Sequence, residues 1–194
     1  MKLTAGGKVF YARRMTRADA HAVCTWRYTG VREIYNVQDD EESAAEFLDG
    51  CHFALSERFG GPAVAFVNFG ERATLPLHEL ENIYRDESYT DIALGLAPEK
   101  CGKGLGKNIV LAALELCANF FPEDGFRVTV AKDNARAMSI YRRFGFTTIA
   151  EFTAEVVYPS NSGTILTKPV PMEILIAPPE ALAQIGKIKI TREK

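Results

Sequence analysis

A chain of 194 residues with 47% apolar and 25% charged residues can bury one full core, and that balance excludes extended disorder. The net charge of −2, with lysines and arginines spread along the chain, lacks the basic stripe of a nucleic-acid binder. No apolar run is long enough for a membrane span, Met1-Lys-Leu-Thr-Ala-Gly-Gly-Lys8 has no secretory stretch, and Cys24, Cys51, Cys101 and Cys117 lack zinc spacing. A cytoplasmic protein with reduced thiols, no metal and no membrane or nucleic-acid partner is therefore expected.

Val9 to Arg14 alternates as a first strand, and Thr16-Arg-Ala-Asp19 reads as a capping box opening a helix. The stretch Tyr28 to Asn36 is aromatic and irregular. The acidic run Asp39 to Glu42 leads into a short helix that Gly50 ends. Phe53 to Glu57 and Ala63 to Phe69 are strand-like and joined through Phe59-Gly-Gly-Pro62, a hairpin signal. Gly70 to Ser88 is polar and broken, a loop with at most a turn of helix. Asp91 to Leu96 is a mostly apolar strand.

After Cys101-Gly-Lys-Gly-Leu-Gly106, Leu105, Ile109, Leu116 and Phe120 repeat at helical spacing as far as Pro122. Phe126 to Val130 is a short buried strand, and Asn134 caps a helix carrying Ala137, Ile140, Tyr141 and Phe144. Thr147 to Val157 and Thr164 to Ile176 form a closing hairpin, with Pro169 and Pro171 predicting an edge or bulge. Early strands, then strand–helix–strand–helix, then a hairpin give an α+β class with a mixed sheet. A single domain is expected, with its core at about 8–176. The tail 177–194, which ends in an alternating run, reads as an extra strand, a homodimer contact or a loose end.

Three glycines at alternate positions between a strand and a helix leave bare backbone N–H groups where an anion can approach, and the helix dipole adds to the attraction. Lys103 and Lys107 flank them. Taken alone, the loop is a weak signal, with an ordinary tight turn as the lesser alternative, since glycine is the default turn residue. A Walker loop fails at Cys101 and Asn108. A dinucleotide fingerprint fails on spacing and on the absence of an acidic residue ending the strand Val128 to Val130.

One helix and one strand later stand Asn134-Ala-Arg-Ala137, Tyr141 and Phe144-Gly145-Phe146. Loop and second motif together resemble the GCN5-related N-acetyltransferase (GNAT) superfamily, whose signature is [QR]-x-x-G-x-[GA] followed by N-x-x-A-x-x-x-Y-x-x-x-G-F. The match is specific over Tyr89 to Phe146 and looser elsewhere. One position departs from it: Cys101 stands where the family carries glutamine or arginine, a substitution that Lys100 or Lys103 would have to offset. The segment Trp26 to Asn36 is also similar to a bacterial acetyltransferase subgroup of unassigned substrate.

The resemblance implies a mostly antiparallel twisted sheet flanked by helices, acetyl-CoA as co-substrate, and direct acetyl transfer to a primary amine of a small molecule. Protein N-termini or lysines, or a non-catalytic acyl-CoA binding module, are the alternatives. It implies cofactor contacts from Leu94, Gly95 and Leu96, from Cys101, Gly102, Lys103, Gly104, Leu105, Gly106 and Lys107, and from Asn134. Tyr141 matches the family's general-acid tyrosine, although an aromatic at helical spacing is also ordinary core. Asp91 and Glu71 are the candidate bases, weighed against solvated strand-end charges. Tyr28, Tyr35 and Asn36 border the region where the family binds its acceptor.

Overall fold

The computed structural model describes residues 1–122 and 124–179. Eight strands form one sheet in the order β1-β2-β3-β4-β5-β6-β8-β7: β1 Lys2–Ala5, β2 Lys8–Arg14, β3 His52–Ser56, β4 Ala65–Phe69, β5 Tyr89–Leu96, β6 Gly125–Ala131, β7 Thr147–Pro159 and β8 Ile165–Ala177. All neighbours are antiparallel except β5 and β6, which run parallel. The helices are α1 Arg17–Cys24, α2 Glu41–Glu46, α3 Glu81–Tyr84, α4 Gly106–Phe120 and α5 Ala135–Arg143. This is the mixed, mostly antiparallel α+β architecture that the sequence predicts.

Period-two patterning assigns the two faces of the sheet. Val67 and Phe69 of β4, Ile92 of β5 and Val128 and Val130 of β6 pack with Ile109, Val110 and Leu116 of α4 and Tyr141 of α5 in the main core. The opposite face carries two smaller clusters. One joins Val23 and Cys24 of α1 to Phe47 and Ala54; the other gathers Ile34, Tyr158 and Met172.

The predicted capping box forms at α1, where Thr16 Oγ1 accepts from Asp19 N and Asp19 Oδ2 accepts from Thr16 N, each at 3.2 Å. Pro169 and Pro171 lie in β8, where only β7 is paired, because β6 reaches no further than Met172. A missing N–H costs no ladder bond there.

Two expectations are corrected. The first strand is Lys2–Ala5, whose inward pair Leu3 and Ala5 is too short to register as a period. The segment expected to be a loop after Gly70 holds two 3-10 turns, Glu71–Ala73 and His78–Leu80, followed by α3. The alternating run at 185–194 lies outside the described residues.

The parallel β5–β6 ladder is short: Tyr89, Thr90 and Asp91 pair with Gly125, Phe126 and Arg127, and there it stops. Beyond Asp91, β5 keeps only β4 as a partner, while β6 keeps only β8. The sheet therefore opens into a cleft whose closed end is Asp91–Arg127. That pair is buried and forked, with Arg127 Nε donating to Asp91 Oδ1 at 2.8 Å and Nη2 to Oδ2 at 2.6 Å. The guanidinium also donates to the carbonyls of Ile83 and Tyr84 and lies over the Tyr84 ring, its carbon 5.1 Å from the centroid. Arg127 is 1% exposed and its fork is satisfied on every side. Removing one member of such a pair leaves a buried charge unmatched. Arg127→Ala should therefore cost roughly 3–5 kcal/mol in urea unfolding, and a drop under about 1 kcal/mol would contradict the role assigned to the pair.

Candidate active site

Between Ile92 and Leu96 the β6-facing backbone groups of β5 lack a strand partner, and from Ala93 onward they are only half-buried, within reach of a partner from elsewhere. One is supplied internally. The Leu96 carbonyl accepts from the Tyr28 hydroxyl at 3.0 Å and from the Cys101 thiol at 3.5 Å. The other groups of this open edge suit a ligand that carries its own amides.

At the open end the chain turns through Pro98–Lys100 into the glycine loop. Gly102 and Gly104 have φ of +77° and +75°, the left-handed region where a side chain is strained. Leu105 is buried and anchors the loop, and Gly106 opens the 15-residue α4. Asn108 ties that helix start to the β1–β2 turn by donating to Ala5 O at 2.9 Å. Whereas α1, α2 and α5 have side-chain caps, α4 has none, and its first turn holds no acidic residue. Its free amides and dipole are left for an outside anion. Lys103 and Lys107 are exposed beside it, whereas Lys100 is taken by Glu57.

Three tyrosines converge on this end. Tyr28 and Tyr35 meet edge to face at 6.4 Å. Asn134 caps α5 by accepting from Ala137 N at 3.3 Å and donates to the Tyr35 hydroxyl at 3.4 Å. Tyr141 is buried against Phe146, ring centroids 5.3 Å apart. Burial first, and then the nearby Tyr35, push the Tyr141 phenol well above its usual range. Burial, with Cys101 adding to it, does the same to Tyr28.

Asn36 is only 4% exposed and fully engaged. It accepts from Tyr28 N at 2.7 Å and donates to Pro159 O and Asn161 Oδ1, both at 3.3 Å. These bonds hold Tyr28 in place and engage the whole Asn36 amide. Asn161, at the tip of the β7–β8 hairpin, completes this clamp by donating to Tyr28 O at 3.0 Å. Periodicity and motif spacing gave no signal for Asn161, since the contact spans 133 residues.

The two candidate bases lie elsewhere. Asp91 is held by Arg127 at the closed end, roughly 17 Å along β5 from Leu96. Burial raises its carboxyl and Arg127 offsets part of that rise. Glu71 sits at the same end, because Gly70 N bonds to Asp91 O at 3.0 Å, and it lines a cavity of about 730 Å³ together with Tyr84 and Asp124. The structure brings neither carboxylate to Leu96.

Sequence reading also missed Phe66 and Trp26. On the face of β5 opposite α4, Phe66 lies so close over Gly95 that a Cβ there would meet its ring at 2.2 Å. Trp26 stands beside it, centroids 6.0 Å apart, and both rings are partly exposed. The only sequence hint was Gly95 itself, since a glycine inside a strand often marks a close approach.

The sheet splits between its parallel strands, and an uncapped glycine-loop helix stands at the mouth of the cleft, an arrangement suited to an anionic ligand. The acetyltransferase (GNAT) domain family matches residues 10–147, and the chain belongs to it as an acetyl-CoA-dependent N-acetyltransferase. No curated protein matches the chain. Solved structures similar to it include a GNAT-family acetyltransferase from Bacillus anthracis (TM-score 0.65, 14% identity, 93% of this chain and 99% of that one). A mutant of the spermidine N-acetyltransferase SpeG from Vibrio cholerae is also similar (TM-score 0.60, 16% identity, 91% and 98%). A third is yncA, a putative acetyltransferase from Salmonella typhimurium solved with acetyl-CoA (TM-score 0.56, 15% identity, 88% and 94%). At these identities the likeness establishes the fold. The donor is acetyl-CoA, and the residues present fit it: free helix amides, flanking lysines and an open strand edge.

The contact between Gly95 and Phe66 is testable. Gly95→Ala must displace the ring and should lower stability by about 1–3 kcal/mol in urea melts. In a Phe66→Ala background the same change should cost much less; full additivity would contradict the contact.

Proposed function

We propose that this chain transfers the acetyl group of acetyl-CoA directly to a primary amine of a small molecule. The supporting observation is the closure of the acceptor side. Asn161 of the β7–β8 tip, bonded to Asn36, to Tyr28 O and through its own N–H to Glu33, pins the hairpin across the Tyr28–Asn36 segment. Tyr28, Tyr35, Trp26 and Phe66 then form aromatic walls near Gly95 and Leu96. Such walls suit an alkyl ammonium, through its methylenes and through cation–π attraction. The names of two similar structures agree with this reading: a spermidine N-acetyltransferase and a putative phosphinothricin N-acetyltransferase.

An alkylamine of pKa about 10.4 carries a proton at neutral pH whose removal costs roughly 4–5 kcal/mol. With Asp91 engaged by Arg127 and Glu71 at the closed end, that proton leaves through water rather than to a positioned carboxylate. The free amine attacks the thioester carbonyl, and the oxyanion takes a backbone N–H of Leu94 to Leu96. Collapse breaks the C–S bond and forms the amide, and the surplus proton of the attacking nitrogen passes through water to the departing CoA thiolate. The raised phenol of Tyr141 keeps its proton, so it hydrogen-bonds the departing sulfur instead of surrendering a proton in full. A thiolate leaves readily without such help. Tyr141→Phe should therefore lower kcat about 10- to 100-fold, with the acetyl-CoA KM within about twofold.

Assaying a panel of amines for CoA thiol release is the direct test. Turnover with small alkylamines supports the reading, whereas turnover only on peptides moves the acceptor to protein N-termini or lysines. The sign of the pH dependence follows from the same groups. The reactive amine is the unprotonated form, so kcat/KM should climb about tenfold per pH unit from about pH 6 to 9. Tyr141 titrates above its usual value, so no descending limb should appear below about pH 10. A plateau beginning near pH 6–7 would instead reveal a positioned base.

A further inference from the structure

The departure at Cys101 leaves a gap in the donor site. Its thiol donates to the Leu96 carbonyl at 3.5 Å, beside Tyr28. Lys100, which could have replaced a long polar side chain there, is paired with Glu57. A different cation stands over the loop. Arg136, in the first turn of α5, has Nη1 3.4 Å from the point where a Cβ on Gly102 would lie.

The placement of Arg136 is electrostatically unfavourable in the protein by itself. It is exposed at a helix N-terminus, where the dipole repels cations. It lies over Gly102, in the loop that also carries Lys103 and leads into the uncapped α4. Among the described residues it makes no ion pair, not even with Asp133, whereas Arg127, Lys132 and Arg142 each have an acidic partner. Arg136 over Gly102, Lys103 within the loop and Lys107 just after it leave three cations about a loop that has no carboxylate between Cys101 and Gly106. Such an arrangement is relieved by a multiply charged anion.

We infer that Arg136 is the side chain that grips the pyrophosphate of acetyl-CoA in this protein, filling the part that the short thiol of Cys101 cannot play. Resting on the acetyl-CoA dependence already established, it is a binding residue for the donor and takes no part in the chemistry. A planar guanidinium can bridge two phosphate oxygens, which an ammonium at the same place does less well.

Calorimetric titration of the free enzyme separates this role from the others. CoA carries both the pyrophosphate and the 3′-phosphate, dephospho-CoA only the pyrophosphate, and S-acetylpantetheine neither. Arg136→Ala should weaken CoA and dephospho-CoA alike by about 10- to 100-fold and leave S-acetylpantetheine within about twofold. Arg136→Lys should restore part of that affinity. The unliganded Arg136→Ala protein should melt no lower than wild type, since the substitution relieves repulsion. Equal weakening with all three ligands would make Arg136 structural. Weakening confined to CoA would place it on the 3′-phosphate. Unchanged CoA affinity would show that the loop amides and lysines suffice. Each of these three results overturns the inference.

Discussion

The structure depends on a buried ion pair at the point where the sheet divides. Asp91 and Arg127 face each other across the last rung of the parallel ladder, and beyond them β5 and β6 follow different partners. Such a pair is poor evidence of net stability, because burying two charges costs about as much as their attraction returns. Its value is positional. The guanidinium also collects the carbonyls of Ile83 and Tyr84, so it ties α3 to the closed end of the cleft. An aliphatic pair would fill the same space without setting where the strands part.

The open end follows the opposite logic. Here polar groups and positive charge are left incompletely matched: strand-edge amides, the uncapped start of α4, and Lys103, Lys107 and Arg136 around the loop. Elsewhere the chain satisfies its polar groups closely. Asn68 Oδ1 is the one buried side-chain polar atom without a partner among the described residues. Unmatched groups gathered at one place in an otherwise satisfied protein define a ligand site. Their sign and spacing suit a phosphorylated donor carrying an amide chain.

What was legible in the sequence was what is encoded locally. The glycine loop, the cap at Asn134 and the helix carrying Tyr141 could all be read because each depends on neighbours within a turn or two. The capping box at Thr16 and the closing hairpin were legible for the same reason. The partners of Asp91 and Asn36 were not. Asp91 reads as a free acid until Arg127, 36 residues on, is brought opposite it. Asn36 reads as a groove residue until Asn161 arrives from a hairpin 125 residues later. Arg136 stood in plain view inside the second motif. Only the packing of α5 against the loop shows that its guanidinium overhangs Gly102.

The central claim is that the divided half of β5, and not its paired half, receives the donor. Amide hydrogen exchange with and without CoA tests it most directly. The segment Ile92 to Leu96 and the first turn of α4 should gain protection on binding, while Tyr89 to Asp91, already laddered to β6, should change little. Protection spread evenly along β5, or confined to the cavity lined by Glu71 and Asp124, would contradict this account of the site.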